Sequence, residues 1–239
     1  MMALPFFFNP QLEHSSKTMQ LDEATSKHVV QVLRMKEGEQ LNLTNGKGLL
    51  ARMELTAANK KNSTVLLLES EFSQHHAIRK TGIAISPVKN SSRFEWFLEK
   101  ATELGIDEIT PIITDRSERR IVKEDRLNKV ITSAVKQSIK AYHPKLNDAI
   151  SLDTFLKEPF DGDKLIAHCI DNGEKQYISK LVVPHQKYLI LIGPEGDFTP
   201  DEVNLALNKG FKALTLGDNR LRTETAALSV CFEINYLNR

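Results

Sequence analysis

The last fifty residues constrain the fold most. An apolar run, Tyr188-Leu-Ile-Leu-Ile192, drops into Gly193-Pro-Glu-Gly-Asp197. After a helix signal and another short apolar run comes a second glycine-bearing stretch, Leu216-Gly-Asp-Asn-Arg-Leu-Arg-Thr-Glu-Thr-Ala226. A strand that ends in a glycine loop and continues into a helix, twice in succession, is what an open α/β sheet uses to hold a small ligand at the carboxyl ends of its strands.

The local chemistry supports that reading residue by residue. Gly193-Pro194-Glu195-Gly196 has proline second and glycine fourth, as a type I turn prefers. Gly196 would let the main chain approach a ligand without a Cβ in the way. Thr199-Pro-Asp-Glu202 predicts a capping box with proline at the first helical position, and Gly210 suits a left-handed helix end. Phe211 to Leu216 reads as a short buried strand, and Thr223 as the N-cap of a last helix with an apolar face of Ala226, Ala227, Val230, Cys231, Ile234 and Leu237.

No Gly-x-x-x-x-Gly-Lys-Ser/Thr cradle and no Gly-x-Gly-x-x-Gly fingerprint is present. Pro194 also removes a backbone N–H that a phosphate cradle would use. These absences argue against a phosphate-led nucleotide site and against a nicotinamide enzyme. A ligand with an adenine ring and no phosphate, such as S-adenosylmethionine, suits loops that offer backbone groups and apolar walls.

The whole chain permits a core of ample size. Its 239 residues are 41% hydrophobic and 26% charged, which fits one large or two modest globular domains. A net charge of +1 gives no global pull toward nucleic acid, so any RNA surface must come from local clustering. Cys169 and Cys231 lie in apolar runs, read as buried reduced thiols, and have no metal-ligand spacing. Phe6-Phe-Phe8 is too short for a signal core, and no apolar segment reaches membrane length. The expectation is a cytoplasmic protein with neither metal nor membrane partner.

Two textures divide the sequence, at residues 1–72 and 73–239. The first contains a helix from about Asp22 to Met35 and short strands, with Asn45-Gly46 as a hairpin signal between Leu41–Thr44 and Leu49–Leu55 and a further strand at Val65–Glu69. Ser73–Ile78, with His75 and His76, is a candidate linker. From Thr81 strands alternate with helices: strand signals fall at Gly82–Ser86, Glu108–Ile113, Leu165–Ile170, Leu189–Ile192 and Ala213–Leu216. Ser92-Arg-Phe-Glu95 predicts a capping box for one helix, with Trp96 in its core face, and Asp125–Ile139 predicts a longer amphipathic one. Such alternation implies a parallel sheet covered on both faces.

Gly193-Pro-Glu-Gly196, then Leu216-Gly217, then Leu221-Arg-Thr-Glu-Thr-Ala226 resemble the cofactor signature of the SPOUT-class RNA methyltransferases, in particular the RsmE type. His28-Val-Val-Gln-Val-Leu-Arg-Met35, Phe94-Glu-Trp-Phe-Leu-Glu-Lys-Ala-Thr-Glu-Leu-Gly105 with Ile109-Thr-Pro-Ile112, and Lys136-Gln-Ser138 are similar to further elements of that family, in its order along most of the chain. The resemblance implies an α/β, trefoil-knotted parallel-sheet domain behind an N-terminal PUA-like β-barrel domain that binds RNA. It further implies a homodimer and methylation of N3 of a uridine in the decoding region of 16S ribosomal RNA within the small subunit. By the same likeness Leu191, Ile192, Gly193, Pro194, Glu195, Gly196, Leu216, Gly217, Leu221, Arg222, Thr225 and Ala226 would bind S-adenosylmethionine. The chain departs from the family at Asp197, where a second glycine is common, and at Lys136, where an acid is usual.

Uridine N3 carries a proton and is a poor nucleophile until that proton leaves, so methyl transfer there needs a base or a cation that stabilises the anion. Arg222, Glu195 and Glu224 are the charged residues nearest the implied cofactor. An RNA path would use Arg116, Arg119 and Arg120, then Lys136, Gln137 and Ser138, and Lys27, Arg34 and Lys36 in the first domain. His28 reads as structural. Two other readings stay open at this point: a SPOUT enzyme acting on another RNA or on ribose 2′-oxygen, and a non-catalytic RNA-binding assembly factor.

Overall fold

The computed structural model describes residues 4–73, 80–170 and 173–239. Its contacts divide the chain into two compact units, Met1–His76 with Val135–His143, and Ala77–Ala134 with Pro144–Arg239. Of the linker expected at Ser73–Ile78, only Ser73 is among the described residues.

The first unit opens with β1 (Phe6–Phe8), β2 (Thr18–Gln20) and α1 (Glu23–Lys27), which continues as a π-helical turn over His28–Val32. Then come β3 (Gln40–Thr44), β4 (Leu49–Ala57) and β5 (Thr64–Phe72), in a sheet of order β1-β3-β4-β5-β2. Only β1 and β3 pair in parallel; the rest are antiparallel. Along β4 every second residue from Leu49 to Leu55 is buried, the period of a strand with one covered face. That face packs on Leu41, Leu43, Val65 and Val29. Asn45-Gly46 does mark the β3–β4 hairpin. The connection is longer than two residues, however, because Asn45 Oδ1 accepts N–H bonds from Lys47 (2.8 Å) and Leu49 (3.2 Å), so a side chain builds the turn.

The helix expected over Asp22–Met35 is shorter and changes pitch. Asp22 caps it by accepting the Thr25 N–H at 2.9 Å. From His28 the bonds lengthen to the i+5 pattern, Leu33 N–H to His28 O at 2.9 Å, where the β-branched Val29, Val30 and Val32 crowd an ordinary helix. The segment Val135–His143 belongs to this unit although it lies far along the chain. It is held where Thr44 Oγ1 and the Gly48 N–H both donate to the Ala141 carbonyl at 3.0 Å, and the His143 N–H donates to Gly46 O at 2.9 Å.

The second unit alternates strands and helices: β6 (Lys80–Ile85), α2 (Ser91–Glu103), β7 (Glu108–Ile113), α3 (Glu124–Gln137, whose last residues belong to the first unit), β8 (Lys145–Leu146), β9 (Ile150–Ser151) and α4 (Leu152–Phe155). It continues with β10 (Asp163–Ala167), α5 (Ile178–Leu181), β11 (Lys187–Ile192), α6 (Pro200–Asn208), β12 (Lys212–Leu214) and α7 (Thr223–Leu237). The sheet order is β12-β10-β11-β6-β7-β8, with β9 beside the far end of β7. Every pairing is parallel.

On one face Ala84, Ile166 and Leu191 pack with Phe198, Val203 and Ala206 of the α6 region. Their strand neighbours Ile83, Leu165 and Ile190, pointing to the opposite face, are also buried; α7 packs on β6 and β11 and against α2. Helix α2 is capped by Asn90, whose Oδ1 accepts the Ser92 N–H at 2.9 Å, so the cap lies two residues before the box expected at Ser92. Its buried face runs Phe94, Phe97, Leu98, Ala101, which leaves Trp96 43% exposed rather than in the core.

The turn after β11 closes one residue later than expected, with the Asp197 N–H on Pro194 O at 2.9 Å. Asp197 itself adopts a left-handed φ of +63°. A residue other than glycine is uncommon there, and aspartate tolerates it because its short carboxylate bonds nearby backbone: Oδ1 accepts the Phe198 N–H at 2.8 Å and Oδ2 the Cys169 N–H at 2.7 Å. Glycine would adopt this backbone freely, and the aspartate adds a tie that glycine cannot make. Thr199 and Glu202 then form the predicted reciprocal capping box of α6, with Pro200 at its start. Thr223 is the first residue of α7, and Arg222 occupies the N-cap position with no side-chain cap bond.

Two measurements check these local arguments. Thr199→Ala should lower unfolding free energy by about 1 kcal/mol in urea titration; no change would mean the Glu202 carboxylate alone suffices. Asp197→Val should be less stable than Asp197→Gly by about 1–3 kcal/mol, because a β-branched side chain resists the left-handed backbone. Equal stabilities would remove the backbone explanation.

Candidate functional site

The carboxyl ends of β10, β11 and β12 open into a cavity of about 700 Å³, inside the range of about 300–1,000 Å³ typical of small-molecule sites. Its walls are the loops that follow these strands. Ile192, Gly193, Pro194 and Glu195 line it from the first loop, and Leu216, Gly217, Leu221, Arg222 and Ala226 from the second. The two motifs singled out from the sequence therefore share one hollow. Three residues grouped with them do not line it. Leu191 is wholly buried in the core beside Ala84 and Phe198. Gly196 lies exposed next to the Arg116 side chain, and Thr225 is exposed on the first turn of α7.

Two glycines have steric reasons to be there. A Cβ on Gly193 would sit 3.0–3.3 Å from the ring and N–H of the fully buried Phe198, so a side chain would push the loop off the core. Gly217 has φ of +96° and nothing within 4 Å of where a Cβ would be, so backbone conformation alone restricts it.

The segment 195–202 gathers backbone groups from the other strand-end loops. Glu195 Oε1 accepts the Lys89 N–H at 2.9 Å, Asp197 the Cys169 N–H, and Glu202 Oε1 the Asp115 N–H at 2.8 Å. Arg116 donates from Nη1 to the carbonyls of Gly196 (2.9 Å) and Phe198 (3.3 Å). Glu224 is 5% exposed, lies 3.8 Å from Arg93 Nε and is not part of the cavity wall.

Sequence reasoning passed over the third wall. Ala167, His168, Cys169 and Lys175, at and after the end of β10, line the cavity, as do Thr215 and Arg220; Asp197, singled out in the sequence as a departure from the family pattern, lines it too. Cys169 is exposed, contrary to the buried thiol expected, because it lies beyond the last paired residue of β10; Cys231 is buried. His168 is 8% exposed. Burial, and then the charge of Lys175, hold its pKa below the usual histidine range, with Asp197 and the Ile170 backbone opposing. Lys175, Arg220 and Arg222 balance Glu195, Asp197 and Asp218 around the wall.

The basic residues considered for RNA fall in several places. Arg120 donates to the carbonyls of Thr114 and Asp115, and Arg119 to Ile121 O. Arg119, Lys123 and Arg126 also line a smaller hollow of about 170 Å³ floored by Phe94. Lys27, Arg34 and Lys36 are exposed, Arg34 with φ of +55°. Gln137 is exposed while Lys136 and Ser138 are half-buried, all three in the first unit. His28 meets the Phe7 ring edge-on at 5.6 Å. Among the described residues no group of three or more His, Cys, Asp or Glu side chains could hold a metal ion, and no helix is long and apolar enough to cross a membrane.

Comparison with known proteins agrees with this geometry. The RNA methyltransferase domain family matches residues 75–235 and the RNA methyltransferase PUA domain family residues 21–68. The ribosomal RNA small subunit methyltransferase E of Rickettsia conorii is 30% identical over 97% of this chain and 94% of its own. A Porphyromonas gingivalis structure described as a "probable rRNA-methyltransferase" is 39% identical with a TM-score of 0.90, covering 98% of both chains. The methyltransferase E of Neisseria gonorrhoeae, solved bound to S-adenosyl methionine, is 28% identical with a TM-score of 0.88, covering 99% of this chain and 98% of its own. With its β-rich PUA unit, its parallel α/β unit and a ligand-sized cavity at the strand ends, the chain belongs to the ribosomal RNA small subunit methyltransferase E family.

Proposed function

We propose that this protein transfers the methyl group of S-adenosylmethionine to N3 of a uridine in the decoding region of 16S ribosomal RNA, within the small ribosomal subunit. The observation that carries the reading is the cavity of about 700 Å³ enclosed by both signature loops. Its chemistry fits the cofactor: a glycine-built backbone wall, apolar Ile192, Leu216 and Leu221, and no phosphate cradle. The family likeness adds a homodimer, a trefoil knot at the last helix and a cytoplasmic location.

Bound S-adenosylmethionine supplies an electrophilic methyl group on a sulfonium. The chain's part is to position uridine N3, remove its proton and stabilise the anion. Arg222 is suited to the last task. It is an exposed cation on the cavity wall, at the N-cap of α7, where backbone N–H groups add positive potential. Glu195 lines the same wall and keeps Oε2 outside its bond to Lys89, so proton acceptance is assigned to it. Glu224, buried beside Arg93, is better placed to anchor α7 on α2. Arg116, Arg119, Arg120, Lys136, Gln137, Ser138, Lys27, Arg34 and Lys36 remain the candidates for RNA contact; Arg116 would act partly through the loop it braces.

For the dimer, α7 exposes two stacked rings, Phe232 (51% exposed) and Tyr236 (60% exposed), whose centroids lie 6.5 Å apart. A self-association face is the economical use of such a pair on the last helix. Light scattering should give twice the chain mass for the wild type and a smaller species for Phe232→Glu; an unchanged mass for the variant would exclude this face.

The deciding experiment incubates labelled S-adenosylmethionine with unmodified small ribosomal subunits and identifies the labelled nucleoside. N3-methyluridine is expected. A different methylated nucleoside would move the target, and cofactor binding without label would favour a non-catalytic assembly role. Arg222→Ala should lower kcat by about 10²-fold or more, the range seen when a charge-stabilising donor is removed; undiminished turnover would free Arg222 of that role.

A further inference from the structure

We infer that His168 is a cofactor-contacting residue, whose imidazole turns out of a sealed, unpaired position to hydrogen-bond the uncharged adenosine part of the ligand. The inference rests on the S-adenosylmethionine reading above and extends it to a wall that neither signature motif contains.

Strand β10 runs between β11 and β12, and its last residue, Ala167, pairs with Ile192 on one side and Leu214 on the other. His168 is the next residue, so it stands between the roots of both loops and lines the cavity they enclose.

His168 is 8% exposed, and neither ring nitrogen has a hydrogen-bond partner of good geometry; the Ile170 backbone is the one hydrogen-bonding group that acts on the ring, and it does so weakly. A neutral imidazole has one N–H to donate and one lone pair to accept with. Leaving both unmet in the interior is costly, and proteins rarely keep such groups without a use for them. Asp197, the acidic group that acts on the ring, does not supply the missing bond: its two carboxylate oxygens are turned to the N–H groups of Phe198 and Cys169. Lys175, on the same wall, is a cation and discourages protonation of the ring.

An imidazole kept neutral offers no charge to the carboxylate of the methionine portion, and it does not repel the sulfonium. It can satisfy itself against groups that both donate and accept, as ribose hydroxyls and the adenine edge do. Both nitrogens are covered in the present position, so contact needs a rotation of the ring about χ2, a broad torsion for histidine.

Calorimetry on the full chain tests this with S-adenosylmethionine, S-adenosylhomocysteine and 5′-methylthioadenosine, which lacks the amino-acid end. His168→Phe should weaken all three about tenfold, the size of one good hydrogen bond. The ligand-free variant should melt at the same temperature as the wild type or higher, since two unmet polar atoms are gone. His168→Asn, which again offers a donor and an acceptor, should recover part of the affinity. Unchanged affinity for all three ligands in His168→Phe would overturn the inference and leave the residue as wall. A lower melting temperature with unchanged affinity would overturn it in favour of a packing role. Loss confined to the two ligands with an amino-acid end would overturn the adenosine assignment. If the wild type bound none of the three, the cofactor reading itself would fall, and this inference with it.

Discussion

Three carboxylates within eight residues organise the functional end of the second unit. Glu195, Asp197 and Glu202 each accept a backbone N–H from a different loop: Lys89 after β6, Cys169 after β10 and Asp115 after β7. Hydrogen bonds to an ionised acceptor are stronger than neutral ones. They close over loop backbone that would otherwise have to find water. The capping box at Thr199 fixes where Glu202 stands, and the left-handed turn at Asp197 fixes where that carboxylate points. One stretch of chain therefore sets the positions of the loops around it, and the cavity is what remains between them.

Such bracing separates two kinds of residue along the wall. Those that satisfy one another through backbone, as Asp197 does, hold the shape. His168, whose ring nitrogens are covered, and the exposed Arg222 at the rim are wall residues with bonding capacity to spare. For a site that binds S-adenosylmethionine and, on the function proposed above, favours an anion on its substrate, this division is useful. The walls must be rigid without already being charge-neutralised group by group, since interactions that strengthen only as charge develops are the ones that speed the reaction.

The sequence was most informative where structure depends on near neighbours. The Thr199–Glu202 box, the strand Glu108–Ile113, the apolar run of β11 and the two glycine loops could be read directly, because capping, alternation and turn chemistry act over a few residues. Errors of one or two residues arose at helix starts: Asn90 caps α2 ahead of Ser92, and α7 begins at Thr223 itself, with Arg222 at the N-cap position and no side-chain cap bond. What could not be read was strand order. Nothing local in Leu165–Cys169 shows that β10 lies between β11 and β12, so His168 and Lys175 had no visible link to either loop, and Cys169 looked like part of a buried strand. The attachment of Val135–His143 to the first unit is hidden for the same reason, since its bonds run to residues about a hundred positions away.

That strand order also has a meaning in time. β6 takes its inner neighbour from β11, whose residues follow more than a hundred positions later, and β10 must wait for both β11 and β12. During synthesis the amino-terminal half of the sheet is left with an open edge until residue 192 has emerged. Pairings of such long sequence separation are slow to form and leave strand edges exposed meanwhile. The newborn chain is thus unable to hold its ligand until nearly all of it has been made, and the ends of the sheet become a pocket in one late step.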